Sequence, residues 1–466
     1  MRTPADDGWS EALRATHLAL SEADLKFREH ARRDPQLLRR ATFSALEGDV
    51  RLRYRQQSWP TFVGRAKLEQ LERVTLALAA LVRSVPRRIF RGDAARICEF
   101  YGLPSREAAE IILSEPSGIE DGLARADLID SADGFKCLEV NFSADLGGWE
   151  TSLLAELHGR VPETTGFLAR EGIQVSYAPT LQVLFKEVIS RAVQQRVCER
   201  GELNLACVFD AARLAEPGTP AQIALCQREL DLGCRDSGSG LHGKVVACRP
   251  DQLLAVQGNL FCQKLRVHAV FELCPGHVAA AVYRLFKTGK VLLFNGPIDD
   301  VLSEKRNIAL LSENEGAGAF SAAERETIRN HIPWTRRVHP GQVSFAGGEA
   351  DLPELLAAAR ERLVLKEGKN FGGKGVFLGH ATSAARWEEL ARTALAAGGW
   401  VVQEHVQSLP YLYQCGDAGC APHDVIWGPF VFGRTYGGVI LRMQPQAAGG
   451  SVNASLTATE GIVYEV

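Results

Sequence analysis

Glycine and lysine crowd one short stretch of this chain. Lys366, Gly368, Lys369, Gly372, Gly373, Lys374 and Gly375 lie in and beside the turn between two apolar, strand-like runs, Leu363–Leu365 and Val376–Phe377. A simple hairpin needs no such set. Glycine lets backbone N–H groups approach an anion closely and lysine neutralises it, so the chemistry suggested is the cradling of a polyphosphate. Gly368 to Lys374 reads G-x-x-x-x-G-K, but Gly375 stands where a P-loop carries the Ser or Thr that holds magnesium. The chain then continues as strand rather than helix. The loop reads as a flap between two strands; its bland counterpart is a surface hairpin with scattered lysines.

A second constellation lies far upstream. Arg125 and Asp127 precede the turn Ser131–Gly134, and Glu139 and Asn141 follow it, which predicts a hairpin. Residues two apart in a strand face the same way, so Glu139 and Asn141 share one face, and Arg125 and Asp127 share a face of the partner strand. Oxygen donors at i and i+2 with a cross-strand Asp suit a hard cation that bridges phosphates. The alternative is the polar face of an exposed hairpin. Lys305 stands in the first turns of an expected helix, unfavourable beside the positive end of the macrodipole unless an anion binds there; a surface lysine is the competing reading. Arg442, on a strand otherwise made of Gly, Val, Ile, Leu and Met, is costly to bury without an anion. The strand ending Gln403-Glu404-His405-Val406 offers backbone donors and acceptors two residues apart, as an adenine requires.

These groups need elements to hold them. Residues 10 to 115 read as helical, with Val74–Val82 on an amphipathic helix bracketed by Pro60 and Pro86. Between about 200 and 290, strand-like runs at 203–209, 244–248 and 266–273 alternate with helical stretches, which predicts a parallel, Rossmann-like layer. No G-x-G-x-x-G follows any of these strands, which argues against a dinucleotide cofactor. A helix is expected over 384–396, and strands over 426–432 and 436–443.

At 466 residues the chain exceeds one ordinary hydrophobic core, so two to three subdomains are expected. The net charge of −3 gives no general attraction for nucleic acid or anionic lipid. No run of about 18 apolar residues is present to span a bilayer, and the N-terminus lacks an apolar signal core, so a cytoplasmic enzyme is expected. Cys137, Cys207, Cys248 and Cys274 sit in apolar runs and read as buried free thiols. Cys415 and Cys420, with His423 nearby, are either a metal clip or a loop with two cysteines.

Taken in order, Lys305, the strand lysine and glycine-rich flap from Lys366 to Lys374, the Gln403–Val406 stretch, then Arg442 and Asn453, resemble the ATP-grasp fold. Ordinary members of that family place their Glu-x-Asn metal motif after the hinge; here Glu139 lies some 265 residues before Glu404. That order is similar to the circularly permuted ATP-grasp group, such as the synthetase half of the glutathionylspermidine synthases. Two departures stand out. Lys366-Glu367 replaces the Lys-Pro before the flap, and no Cys-His amidase half is present, so glutathione and polyamine specificity do not carry over.

The resemblance implies an α/β protein with ATP-grasp lobes. Its sections would be a helical segment at 1–115, a metal-bearing hairpin and helix at 116–165, a Rossmann-like subdomain at 166–294 and nucleotide lobes at 295–466. It implies ATP and two magnesium ions. Lys305 and Lys366 would contact the α- and β-phosphates, Gly372, Gly373 and Lys374 would close on the γ-phosphate, and Gln403, Glu404 and Val406 would hold adenine. Asp127, Glu139 and Asn141 would bind magnesium, with Arg125 and Arg442 on the transferred phosphoryl or the acyl oxygen. The reaction implied is carboxylate–amine ligation through an acyl phosphate. A small-molecule phosphotransferase and a non-catalytic nucleotide-binding module are the rivals. Expected partners are small-molecule or peptide carboxylates and amines, and a second copy of the chain, without nucleic acid or membrane.

Overall fold

The computed structural model describes residues 9–38, 54–105, 109, 110, 113, 122–148, 150–274, 278–296, 299–370, 373–416, 419–453 and 457–466. Its centre is a six-stranded sheet. The order is Thr459–Gly461, Thr435–Pro445, Gly419–Phe432, Leu123–Ser131 and Gly134–Phe142, with Tyr411–Cys415 also paired to Gly419–Phe432. The Leu123–Ser131 and Gly134–Phe142 strands form the hairpin that period-two spacing predicts, with Arg125 opposite Asn141 and Asp127 opposite Glu139.

A second, antiparallel sheet carries the flap. Its order is Thr335–Arg337, Trp400–Glu404, Leu363–Glu367 and Val376–Leu378. Leu363, Leu365, Trp400 and Val402 pack with Trp387 and Leu390 of the helix Ala384–Ala397. Alternation along each strand therefore turns Lys366 and Gln403 to the opposite face, toward the central sheet. A third sheet is parallel, in the order Leu292–Phe294, Ala269–Glu272, Leu205–Val208 and Val245–Cys248, with helices Thr180–Gln194 and Thr219–Asp236 nearby.

Several sequence expectations change. The 266–273 run is two strands in different sheets: Leu265–Val267 joins a three-stranded meander with Leu253–Val256 and Asn259–Cys262, whereas Ala269–Glu272 lies in the parallel sheet. The N-terminal section is not all helix, because Thr61–Val63 pairs in parallel with Val463–Glu465. Pro86 does not end its helix but lies inside Arg65–Arg88. In that last turn its missing N–H costs a single bond near a terminus where carbonyls are unsatisfied anyway. Cys274 is half-buried, while Cys137, Cys207 and Cys248 are buried. Among the described residues, no helix is long and apolar enough to cross a membrane.

Candidate functional site between the flap sheet and the central hairpin

Arg125, Asp127 and Arg442 form one buried charged group. Asp127 Oδ1 lies 3.2 Å from Arg125 Nε and 2.5 Å from Arg442 Nη2. Burial opposes ionisation of Asp127, but Arg442 and Arg125 outweigh it and hold the carboxyl down at about 2. Arg442 reaches Asp127 from beyond the intervening Gly419–Phe432 strand, where Gly428 lies against the Arg125 side chain. Its Nε is buried and has no hydrogen-bond acceptor among the described residues. A guanidinium with an unused donor in such a place is suited to an anion.

One strand over, Asn141 Nδ2 donates to Glu139 Oε1 at 3.2 Å, and Lys305 Nζ lies 3.4 Å from Glu139 Oε2. Lys305 is not a surface lysine. It is buried at the N-cap of helix Arg306–Glu313, and its ammonium also donates to the Asn370 carbonyl in the flap. Lys366 is equally buried and donates to the Leu138 carbonyl at 3.1 Å and to Gln403 Oε1 at 2.7 Å. Burial pulls its ammonium down; Glu139 works against this and Lys305 with it, leaving the group at about 8. Two buried lysines thus act on one another with Glu139 beside both, an arrangement that a polyphosphate would complement.

The flap crosses above them. Gly368 packs so closely that a Cβ there would fall 2.0 Å from Glu304 Oε1, and Glu304 is itself paired with Arg306. Gly373 has φ +72° and faces Asn453 and Ser451, and a Cβ added to it would fall 2.9 Å from Asn453 Nδ2. Lys374 is exposed on the flap's return and makes no ion pair among the described residues. Gly372, with Phe371, lies outside the described residues.

The Gln403–Val406 stretch divides in two. Gln403 is buried, bridges Lys366 to Thr335 Oγ1 at 3.0 Å, and so positions a lysine. The Glu404 N–H is committed to the Trp334 carbonyl at 2.8 Å and the His405 N–H to the Arg362 carbonyl at 2.7 Å. Among the described residues the Val406 N–H makes no backbone hydrogen bond, and the Glu404 side chain pairs with Arg362. Cys415 lies opposite Gly419 and Cys420 opposite Gln414, while His423 is opposite Tyr411. No group of three or more His, Cys, Asp or Glu able to hold a metal occurs among the described residues.

Sequence spacing missed Glu460. It is buried directly across from Arg442, with two strands between its own and the predicted hairpin, and only tertiary pairing reveals it. No motif beside it in the sequence gives a signal.

No family model matches the chain, and no curated protein matches it in sequence. Among solved structures it is similar to a glutathione synthetase-like effector from Globodera pallida in its apo form, at 13% identity and a TM-score of 0.55. The match covers 94% of this chain and 99% of that one. The mixed α/β architecture is thus shared with a glutathione synthetase-like protein across nearly the whole of both chains.

Proposed function

We propose that this chain is an ATP-grasp-type ligase, in circularly permuted order, that joins a carboxylate to an amine through an acyl phosphate. The observation that carries the reading is the burial of Lys305 and Lys366 against the hairpin bearing Asp127, Glu139 and Asn141. A lysine from a helix N-cap and one from the flap sheet meet oxygen donors on the central hairpin, which suits what phosphoryl transfer requires: charge neutralisation and in-line positioning rather than a protein nucleophile. The architecture shared with a glutathione synthetase-like protein supports the same class.

In this reading Lys305 and Lys366 bind the polyphosphate, and the flap around Gly373 covers it. The Glu404 carbonyl and the Val406 N–H are the polar groups offered to adenine. Arg442, with its unused Nε, and Arg125 hold the acyl or phosphoryl oxygens. The donor set fits magnesium: Glu139 and Asn141 share a face with Asp127 across from them, and all offer oxygen. Those three side chains would hold the ion, which would supply further neutralisation of phosphate charge. A carboxylate oxygen attacks the γ-phosphorus and ADP leaves. The amine nitrogen then attacks the acyl carbon, forming C–N and breaking C–O, and phosphate leaves.

Purified protein with ATP and magnesium should be screened for ADP release against pooled carboxylic acids and primary amines. ADP release should require one member of each pool, with inorganic phosphate formed in equal amount. Transfer of the γ-phosphate onto a stable product, with no amine and no free phosphate, would replace the ligase with a phosphotransferase.

A further inference from the structure

The proposed chemistry leaves one demand unassigned. A primary amine is an ammonium ion near neutral pH, and it must lose a proton before its nitrogen can attack. The groups named so far are mostly cations or carboxylates already engaged by cations. Glu460 is different. It is buried on the Thr459–Gly461 strand, in register with Arg442 across the strand pair, so both side chains project from the same face. Its Oε2 accepts a hydrogen bond from the neutral Gln56 Nε2 at 3.3 Å, and among the described residues it forms no ion pair with either arginine.

The charges around it are Glu150, Arg442 and Arg125. Glu150 occupies the N-cap position of helix Thr151–Gly159, without a side-chain capping bond, just beyond the loop whose Leu146 carbonyl accepts from Arg125. The site is therefore polarised across the central sheet. Lys305 and Lys366 stand at the hairpin edge, the two arginines and Asp127 in the middle, and the carboxylates Glu460 and Glu150 on the far side of Arg442. An anion belongs at the first end and a cation at the last.

We propose that Glu460 is the proton acceptor for the amine substrate, holding it first as an ammonium ion beside the arginine-bound acyl group. The inference rests on the ligase reading. The ammonium gives one proton to the Glu460 carboxylate, leaving a neutral amine and a carboxylic acid. The nitrogen lone pair forms the C–N bond, the C–O bond to phosphate breaks with its electrons going to phosphate, and the second N–H proton leaves with solvent. Burial and Glu150 push the Glu460 carboxyl up to about 7, against the pull of Gln56, Arg442 and Arg125. That places its titration where a base for neutral-pH work operates best.

The test compares two nucleophiles on the full chain and on Glu460→Gln, with ATP, magnesium and pooled amino acids and short peptides as carboxylates. Hydroxylamine is already a free base at neutral pH and traps an acyl phosphate as hydroxamate without a protein base. Pooled primary amines need one. Glu460→Gln keeps the side-chain shape and an oxygen for Gln56, and its melting temperature should match the wild type. We expect hydroxamate formation to persist while amine-dependent ADP release falls about 10²- to 10⁴-fold. Raising the pH should restore the amine reaction as more amine becomes free base. A parallel loss of both reactions, or no loss of either, would overturn the assignment. Absence of hydroxamate from the wild type with every carboxylate would instead overturn the ligase reading, and the assignment with it.

Discussion

The Asp127 carboxylate is the charge on which two buried arginines depend, and removing it should be felt by the whole molecule. Breaking a buried pair by deleting one partner costs about 3–5 kcal/mol, because the remaining charge loses its compensation. Asp127→Asn is therefore expected to lower stability by about that amount in urea denaturation. A change within experimental error would show that Arg125 and Arg442 find other partners. The pH dependence has a definite sign. With the folded carboxyl at about 2 and an ordinary value of 3.8, its stabilisation is complete above the ordinary value and is lost as pH falls through this window. Asp127→Asn should flatten that part of the acid limb. Lys366 gives a second titration. Its folded value of about 8 leaves it partly neutral in mildly alkaline solution, and a bound polyphosphate favours the charged form. ATP binding at mildly alkaline pH should thus be accompanied by proton uptake, read from the dependence of calorimetric binding heat on buffer ionisation. Lys366→Met should abolish the uptake; an unchanged uptake would place the titrating group elsewhere.

The flap is an element whose glycines serve geometry more than flexibility. At Gly373 the positive φ and the approach of Asn453 both exclude a side chain. An L-residue in the left-handed region costs about 1–2 kcal/mol, so Gly373→Ala should weaken ATP binding by roughly tenfold if the closed flap is what requires this conformation. Isothermal titration measures it directly, and unaltered affinity would mean that the flap adopts this backbone in no step that matters to the nucleotide. At this scale, what was legible in the sequence follows local period. Alternation put Glu139 and Asn141 on one face and Arg125 and Asp127 on one face of the partner strand, but the irregularity between Asp127 and Leu128, which alternation does not give, is what sets Asp127 opposite Glu139 and Arg125 opposite Asn141. Gln403 was read only as part of the adenine stretch, and its contact with Lys366 depends on the pairing of two strands that are distant in sequence. Arg266 to Leu273 read as one strand because its β-favouring residues follow one another without a turn signal, whereas the chain passes from the meander to the parallel sheet at His268. Glu460 was illegible because its partner Arg442 belongs to another strand and no spacing within Thr459–Gly461 points to it.

Over the whole molecule, the N-terminal section is part of the scaffold that holds the site. Helices Glu11–Leu20 and Glu22–Ala31 are tied to the central sheet by a buried network. Asp24 accepts from the Phe62 N–H at 2.9 Å and Arg28 Nη2 at 3.0 Å and meets His17 Nδ1 at 2.6 Å, while His17 Nε2 accepts from the Leu412 N–H at 2.9 Å. Burial leaves the His17 ring below its ordinary value despite Asp24, and the Leu412 bond requires Nε2 to act as acceptor, so the neutral ring with its proton toward Asp24 satisfies every partner. Phe27, Trp59 and Phe62 complete the join from the apolar side, all fully buried. Thr61–Val63 then covers the edge of Val463–Glu465, only a few residues from Glu460. Charge, apolar burial and strand pairing thus all join the section before residue 115, read from the sequence as a helical segment of its own, to the strands after it. A chain beginning at residue 65 should lose these partners together: an uncovered strand edge, exposed apolar surface and no donor from Gln56 to Glu460. We expect it to give no cooperative thermal transition by circular dichroism and no ADP formation. A truncated protein that melts within a few degrees of the full chain would show instead that the N-terminal section is separable, and that the site is held by the three sheets alone.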